Sequence, residues 1–476
     1  MPVLKINLHS APLLLLELVL LITPVIRFSK WVTLHDQQRI AQIVLLCLFA
    51  LGSLFVWRTR IFGVLAQIPR PAVWLWLTGL TLGMISVLNA GHVRFAALEW
   101  ASLFLLTNSV LALAAQGRMQ GEEFDRWALR ISLLVAFFVV LKFLINYSLV
   151  LHAGMELEAR KLFRGSFTNP RFFGQAATLL LPLLAYPLMT DGLRRGKKFA
   201  LFGLLAAIWL LVIASGTRGT FLALAIAAAV LAAVSWRVAR PWLQIQFVGF
   251  LLGLAAFVLL FVWLPDAAQH PGIGVENRLG HPTTLSKREV IWSLAWQQML
   301  AHPWLGIGPM HLASIPNPVA THPHNALLQL GAEWGLPATL ALIFPLAYGM
   351  WALLVRIHRV HNAHTPLFIC LAASLVGGAT QAMVDGVIVM PYTQTLLILI
   401  VGWTLGLHFR ETAPATPRRI SLTGQIAGAI PVVVAAGLLI WGVFPEVFQR
   451  AAITRELVDS SITVFNPRYW VHGWIP

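Results

Sequence analysis

Charge is what this chain has least of. Only 11% of its 476 residues are Asp, Glu, Lys or Arg, 58% are hydrophobic, and the mean hydropathy is +0.77, too little charge to solvate a soluble protein of this length. Acidic side chains are the scarcer sign, 18 against 34 basic ones. No D-x-D or paired-carboxylate motif occurs. That argues against a glycosidase, which needs two carboxyls flanking the scissile bond, and against a sugar transferase that holds Mg²⁺ or Mn²⁺ with aspartates. The two cysteines, Cys47 and Cys370, lie inside apolar runs and give neither a disulfide framework nor a cysteine metal site. A Walker A sequence is missing, and the G-x-G at Gly306-Ile307-Gly308-Pro309 neither follows a strand nor continues as G-x-G-x-x-G. Nothing therefore points to a nucleotide or another cofactor, and a reaction here must draw its free energy from the substrate itself.

Long apolar runs are what is present. They recur along the whole chain, each long enough to cross about 30 Å of hydrocarbon at about 1.5 Å per residue, and they are continuous rather than alternating, which disfavours a β-barrel. The fold class is an all-α polytopic integral membrane protein. Candidate spans lie near 11–27, 40–57, 72–90, 95–115, 131–151, 174–190, 199–215, 220–236, 243–263, 336–355, 367–389, 395–409 and 425–444, thirteen in this reading, with twelve as the alternative. The first is read as a retained span, because one lysine precedes it and no small-residue cleavage site follows.

The connections rich in Lys and Arg all fall on one side: Arg58/Arg60/Arg70, Arg118/Arg126/Arg130, Arg194/Arg195/Lys197/Lys198, Arg237/Arg240, Arg356/Arg359 and Arg410/Arg418/Arg419. The positive-inside rule makes that side the cytoplasm, and it accounts for the net charge of +16 without nucleic acid. The chain then divides into a transmembrane region 1–263 with about nine spans, an outward-facing loop 264–335, a second transmembrane region 336–444 and a short outer tail 445–476.

Several residues on the outer face could carry chemistry. Arg218 stands between two apolar runs in Ser215-Gly216-Thr217-Arg218-Gly219. Its insertion costs roughly 2.5–3.5 kcal/mol, so it needs a partner or a polar cavity; it is either a snorkelling cation or an anion contact, for which the flanking glycines allow close approach. Arg288 opens an amphipathic stretch to about Ala301, with Ser286 and Glu289 at capping-box spacing, and is either an interfacial cation or a second anion contact. The loop from Arg160 to Arg171 is basic against the topological trend; Arg160, Lys161 and above all Arg164, beside Gly165, are its candidates for an anionic substrate. His322 and His324 flank Pro323 and precede Asn325, with Glu333 further on. An imidazole suits proton abstraction from a hydroxyl near neutral pH; the alternatives are a structural loop or a zinc site, and for zinc the spacing is wrong. Guanidiniums neutralising a diphosphate leaving group would replace the electrostatic work of a metal.

The ordered set resembles the O-antigen ligase and polymerase superfamily. It consists of Gly165 to Asn169 with Pro170 and the run Leu179 to Leu184; Ser215-Gly216-Thr217-Arg218-Gly219; Arg288 with Trp292; His302-Pro303-Trp304-Leu305-Gly306-Ile307-Gly308; His324-Asn325-Ala326-Leu327-Leu328-Gln329 with Glu333 and Gly335; and Asp385, expected within a late span. The resemblance covers about 155–410. It implies a GT-C-like membrane glycosyltransferase, free of metal and cofactor, in the bacterial inner membrane with its active site toward the periplasm. The donor it implies is a glycan on undecaprenyl diphosphate, and the acceptor, in the ligase branch, is a sugar hydroxyl of lipid A-core, completing lipopolysaccharide. Arg218 and Arg288 resemble the family's diphosphate-binding arginines and His324 its essential histidine. Two features depart from the pattern: Arg171 follows Asn169-Pro170 where many relatives have a small polar residue, and a thirteenth span with a tail goes beyond the usual twelve.

The same superfamily includes O-antigen polymerases and protein O-oligosaccharyltransferases, and a transporter of lipid-linked glycans would also want outward cations. A transporter should distribute charge along a midplane path, whereas these cations gather on one face. The topology is open to test. A His281→Cys variant should react with an impermeant thiol reagent in intact spheroplasts, and labelling only after the membrane is opened would invert the assignment.

Overall fold

The computed structural model describes residues 11–29, 31–163, 165–190, 192–267, 288–412, 421–459 and 466–475. Arg164, the side chain of Arg160, and the proposed capping Ser286 lie outside them. Among the described residues there are helices and no strands, and eleven helices are long and apolar enough to cross a membrane.

In chain order the helices are α1 (Ala11–Ile22), α2 (Leu34–Phe55), α3 (Arg70–Leu88), α4 (Val93–Gln120), α5 (Glu122–His152), α6 (Pro170–Leu184), α7 (Arg195–Ser215), α8 (Arg218–Val258), α9 (Arg288–Ala301), α10 (Ala326–Trp334), α11 (Leu336–Arg359), α12 (Thr365–Ala382), α13 (Pro391–Thr412), α14 (Leu422–Val447) and α15 (Arg450–Asp459). Lipid offers no partner to a backbone N–H or C=O, which is why the apolar runs become helices.

Three expectations need correction. The stretch 11–27 reads as a full span, but its helix ends at Ile22; the described part, Ala11–Ile22, has 12 residues. The runs 220–236 and 243–263 read as two spans joined by a loop; they form one continuous element, Arg218–Trp263. It breaks at Ser235, whose φ of −161° and ψ of 87° are not helical, and there the chain doubles back. Gly219, at its start, packs near Gln381. Phe261, at its far end, meets Phe143 and Tyr147 near the C-terminus of α5, while the carbonyl of Val234 at the reversal lies 2.8 Å from Nδ1 of His358 in the last turn of α11. Both crossings survive without a loop.

The third correction is Asp385. It lies in no span, because α12 ends at Ala382 and α13 begins at Pro391. A residue before proline is driven out of the helical region, so Met390 cannot continue the helix and the chain turns there. Non-helical backbone at this depth is tolerable only where protein covers it. Thr393 Oγ1 and the Gln394 amide satisfy the carbonyls of Val387 and Ile388, and the Arg39 guanidinium satisfies that of Val389 at 2.6 Å.

The tail is no loose appendage. After α15, residues 466–475 run back into the face that carries the histidine loop, with Arg468, Tyr469, Trp470 and Val471 buried. Arg468 Nη2 reaches Glu99 of α4 and Glu333 of α10, each at 2.5 Å. The Val471 amide donates to Asp36 of α2 at 2.7 Å, and the Ile475 amide to the carbonyl of Ala313. Removing one member of a buried ion pair leaves an uncompensated charge, worth about 3–5 kcal/mol. Arg468→Ala should therefore strongly lower the melting temperature of the purified protein, and Glu99→Gln, at the more exposed carboxylate, should lower it less. Wild-type melting of Arg468→Ala would remove this clasp from the account of stability.

Candidate functional site

The site is assembled from helix beginnings. Asn169 caps α6 by accepting the Arg171 amide at 3.0 Å, and Pro170 occupies the first turn, where its missing N–H is not needed. Arg171 is thereby fixed in that turn. One turn further on, Gly174 faces the α7–α8 turn so closely that an added Cβ would lie 2.6 Å from the hydroxyls of both Thr217 and Thr220. The turn itself closes on Gly216 at a φ of 62°, a left-handed C-cap that glycine adopts without strain. Ser215, Thr217 and Thr220 link their hydroxyls at 2.8 and 3.2 Å, and the Gln381 amide of α12 donates to Thr220. This packing sets Arg218, exposed in the first turn of α8, beside the start of α6.

Arg288 is the first described residue of α9, and α9 is tied to the histidine loop one turn later by Trp292 Nε1, which donates to the carbonyl of Pro323 at 2.7 Å. Burial lowers the Arg288 guanidinium pKa; the Asp385 carboxylate opposes this, while the positive Arg171 and Arg218 add to it. Arg288 thus shares one electrostatic neighbourhood with Arg171, Arg218 and Asp385. Its Nε is buried with no hydrogen-bond partner among the described residues.

The histidine loop is rigid for a loop. Asn317 brackets it with four side-chain hydrogen bonds, to Ile315, Val319 and both backbone groups of Ala320. Thr321 donates to the carbonyls of Asn466 and Pro467 at 3.2 and 3.0 Å. His322 is almost fully buried, and its ring lies 4.2 Å from that of His324. Neither of its nitrogens has a well-formed hydrogen bond. Opposite it is Gly386, where an added Cβ would come within 2.7 Å of Nε2. His324 has a φ of 53°, a left-handed conformation that is uncommon for a residue with a Cβ and that recurs at functional sites.

His324 Nδ1 stands 3.6 Å from Asp385 Oδ1, just beyond hydrogen-bond length. The Asp385 carboxylate accepts the Gly386 amide at 2.8 Å. Burial works against its ionisation, yet His324, the Gly386 amide and Arg171 prevail and hold its pKa below the usual value. A carboxylate at Nδ1 favours the proton there and leaves Nε2 as the acceptor. The pair can therefore hold and orient a base beside three guanidiniums.

The structure thus brings Arg218, Arg288, His322, His324 and Asp385 together. It does not recruit Lys161, whose ammonium pairs with Glu158 at 2.9 Å. Asn325 serves as the N-cap of α10, accepting the Leu328 amide at 3.0 Å. Glu333, fully buried, takes Arg468 and the Leu312 amide and is structural; burial and Glu99 raise its pKa against the pull of Arg468. Sequence reasoning missed Arg171 as a member, although Asn169-Pro170 is a helix-start signal that places it. It also missed Gln175, one turn below Arg171, buried with both amide atoms unpartnered. Among the described residues no three His, Cys, Asp or Glu side chains form a group that could hold a metal ion.

Fold and site together define a multi-pass, all-α membrane protein that gathers arginines around a histidine–aspartate pair. Residues 202–343 match the family model described as O-antigen ligase, in agreement with the resemblance carried by the motifs. The match supports the O-antigen ligase and polymerase superfamily, whose members are glycosyltransferase-like membrane enzymes. The matched segment contains Arg218, Arg288, His322 and His324, while Arg171 and Asp385 lie beyond it. No curated protein matches the chain.

His322 supplies a pH test. Burial, then the positive charges around it, hold its pKa well below the ordinary 6.5. An unfolded histidine binds a proton below about 6.5 and this folded one does not. The stability it contributes is therefore present above that pH and lost as pH falls below it, at up to about 1.4 kcal/mol per unit. The difference in melting temperature between wild type and His322→Gln should change in favour of the variant between pH 7.5 and 5.5. A difference independent of pH would contradict the neutral, buried imidazole.

Proposed function

We propose that the protein is an O-antigen ligase that moves a glycan from undecaprenyl diphosphate to a sugar hydroxyl of lipid A-core on the periplasmic face of the inner membrane. The observation that carries this reading is the pairing of His324 with Asp385 beside Arg171 and Arg288, with Arg218 near Arg288. Arg171 and Arg218 sit in the first turn of a helix, where the aligned peptide dipoles add roughly half a positive charge. Arg171 and Arg218 both bear on Arg288 as like charges, and a dianionic diphosphate relieves that repulsion. A neutral sugar alone would not.

In the reaction, His324 Nε2 takes the proton of the acceptor hydroxyl as its oxygen attacks the anomeric carbon of the donor. The bond from that carbon to the diphosphate oxygen breaks, and the electron pair leaves with undecaprenyl diphosphate, stabilised by Arg218 and Arg288. Asp385 keeps the imidazole oriented and stabilises the imidazolium that forms. One displacement without a protein nucleophile inverts the anomeric configuration, and arginines take the electrostatic place of a metal, so turnover should survive excess EDTA.

General-base catalysis contributes typically about 10²–10⁴-fold, so His324→Ala should lose that much turnover with donor affinity nearly intact. Lysine keeps charge but not the bidentate fork; Arg218→Lys and Arg288→Lys should fall well below wild type and the alanine variants lower still. A product with retained anomeric configuration by NMR would end the single-displacement mechanism. In a strain lacking the protein, loss of long glycan from lipid A-core with polymeric lipid-linked donor retained selects the ligase; loss of polymer length selects a polymerase.

A further inference from the structure

The arginine–histidine cleft is not the only cationic recess on this face. A cavity of about 300 Å³ opens between the end of α14, the start of α4 and residues 470–475. This volume lies at the lower end of the range for small-molecule sites, about 300–1,000 Å³. Glu446 is the one carboxylate on its described wall, and it is shared: Arg94 Nη2 lies at 2.6 Å, Trp470 Nε1 at 2.5 Å and Arg450 Nη2 at 3.8 Å. Asp36 also bears on Arg450 from behind the wall, so the two guanidiniums are offset by one carboxylate in the cavity and one outside it.

The two arginines are held by ring faces, Arg94 over Phe95 at 4.2 Å and Arg450 over Trp470 at 4.9 Å. Such stacking fixes the guanidinium planes; Arg94 already donates Nη1 to the carbonyl of Gly442 and Nη2 to Glu446, so the less engaged donors are those of Arg450. Arg450 is nearly buried, yet among the described residues it uses only Nε in a hydrogen bond, to the carbonyl of Glu446. Trp474 is half-buried on the same wall, beside His472, and its indole stacks on no ring or cation among the described residues. Fixed guanidinium donors next to an open indole face combine two needs of one ligand class: an anionic group, and a ring whose C–H groups lie against the negative π face.

We propose that this cavity binds an anionic saccharide, with its phosphate or carboxylate on Arg450 and Arg94 and a sugar ring on Trp474. Residues 466–475 are then a wall shared by two sites. Trp470 and His472 to Ile475 line the cavity, while the carbonyls of Asn466 and Pro467 accept the hydroxyl of Thr321, the residue before His322. That the saccharide is the acceptor of the transfer rests on the proposed function. The ligand chemistry rests on the cavity alone.

Saturation-transfer NMR on the full chain in lipid nanodiscs tests this with glucose 6-phosphate, glucose and inorganic phosphate as probes. Glucose 6-phosphate should bind about tenfold or more tightly than either fragment, a difference of about 1.4 kcal/mol. Trp474→Ala and Arg450→Gln should each weaken it by a similar factor, while Arg218→Ala should leave it unchanged. Arg94→Gln, at a more exposed arginine, replaces Arg450→Gln if that variant does not fold. Equal binding of glucose, equal binding of phosphate alone, or unchanged affinity in the cavity variants overturns the proposal. Loss of binding in Arg218→Ala instead places the probe in the diphosphate cleft and overturns the cavity site, leaving the proposed function standing. Cavity-dependent binding by a protein that transfers no glycan supports the site and rejects the function.

Discussion

The guanidinium of Arg468, buried between Glu99 and Glu333, is the contact on which the loop-bearing face depends. It joins a membrane helix, a short surface helix and the chain's last described segment, pieces hundreds of residues apart. Burying those charges is costly, and the arrangement holds because the geometry is close and the second oxygen of Glu333 also takes a backbone amide, that of Leu312. The irregular backbone around it has no ladder of its own and must find partners one by one. Thr321 to Asn466 and Pro467, and Ile475 to Ala313, are such partners. The histidine loop is consequently held from both sides: Trp292 of α9 grips Pro323, and the tail grips Thr321.

On that platform, like charges are brought together against their own repulsion. Steric gaps make this possible. Gly174 admits the threonines of the α7–α8 turn, and Gly386 admits the His322 ring, at distances where any side chain would collide. Close backbone approach puts Arg171 near Arg218 and the Asp385 turn under His324. The carboxylate then does two things: it orients the imidazole and offsets part of the cationic field. What remains is a surplus of positive charge beside an oriented base, a combination suited to an anionic leaving group and a hydroxyl nucleophile.

The cleft and the Arg450–Trp474 cavity lie on either side of the same ten-residue segment. This arrangement gives the tail a positional role, since whatever moves Trp470 also pulls on Arg468 and through it on Glu333 and Thr321's neighbours.

Much of this protein is written locally in its sequence. Apolar runs of membrane length can only be helices in lipid, so the class was legible, and so was the helix that runs to Ala301, because amphipathic spacing is an interaction between neighbouring turns. Arg218, Arg288 and His324 were legible as candidates because cations and imidazoles cost energy at a membrane boundary unless something uses them. Asp385 was named, yet placed inside a span, because only the Met390-Pro391 step and the tertiary cover of residues 383–390 decide that the chain turns there. The two crossings on either side of Ser235 were legible as separate apolar runs; that the chain turns there without a loop was not, because a single residue's torsions leave no mark in composition. Lys161 is drawn away by Glu158, and Asn325 is occupied by capping, outcomes fixed by short-range geometry that residue type alone does not reveal. Arg171's membership, the burial of Arg468 and the cavity beneath Trp474 depend on which distant segments touch. Sequence determines what a residue can do over a few ångströms of its own backbone; long-range packing, set by the shapes of whole helices and by glycines that let them approach, determines which of those capacities meet.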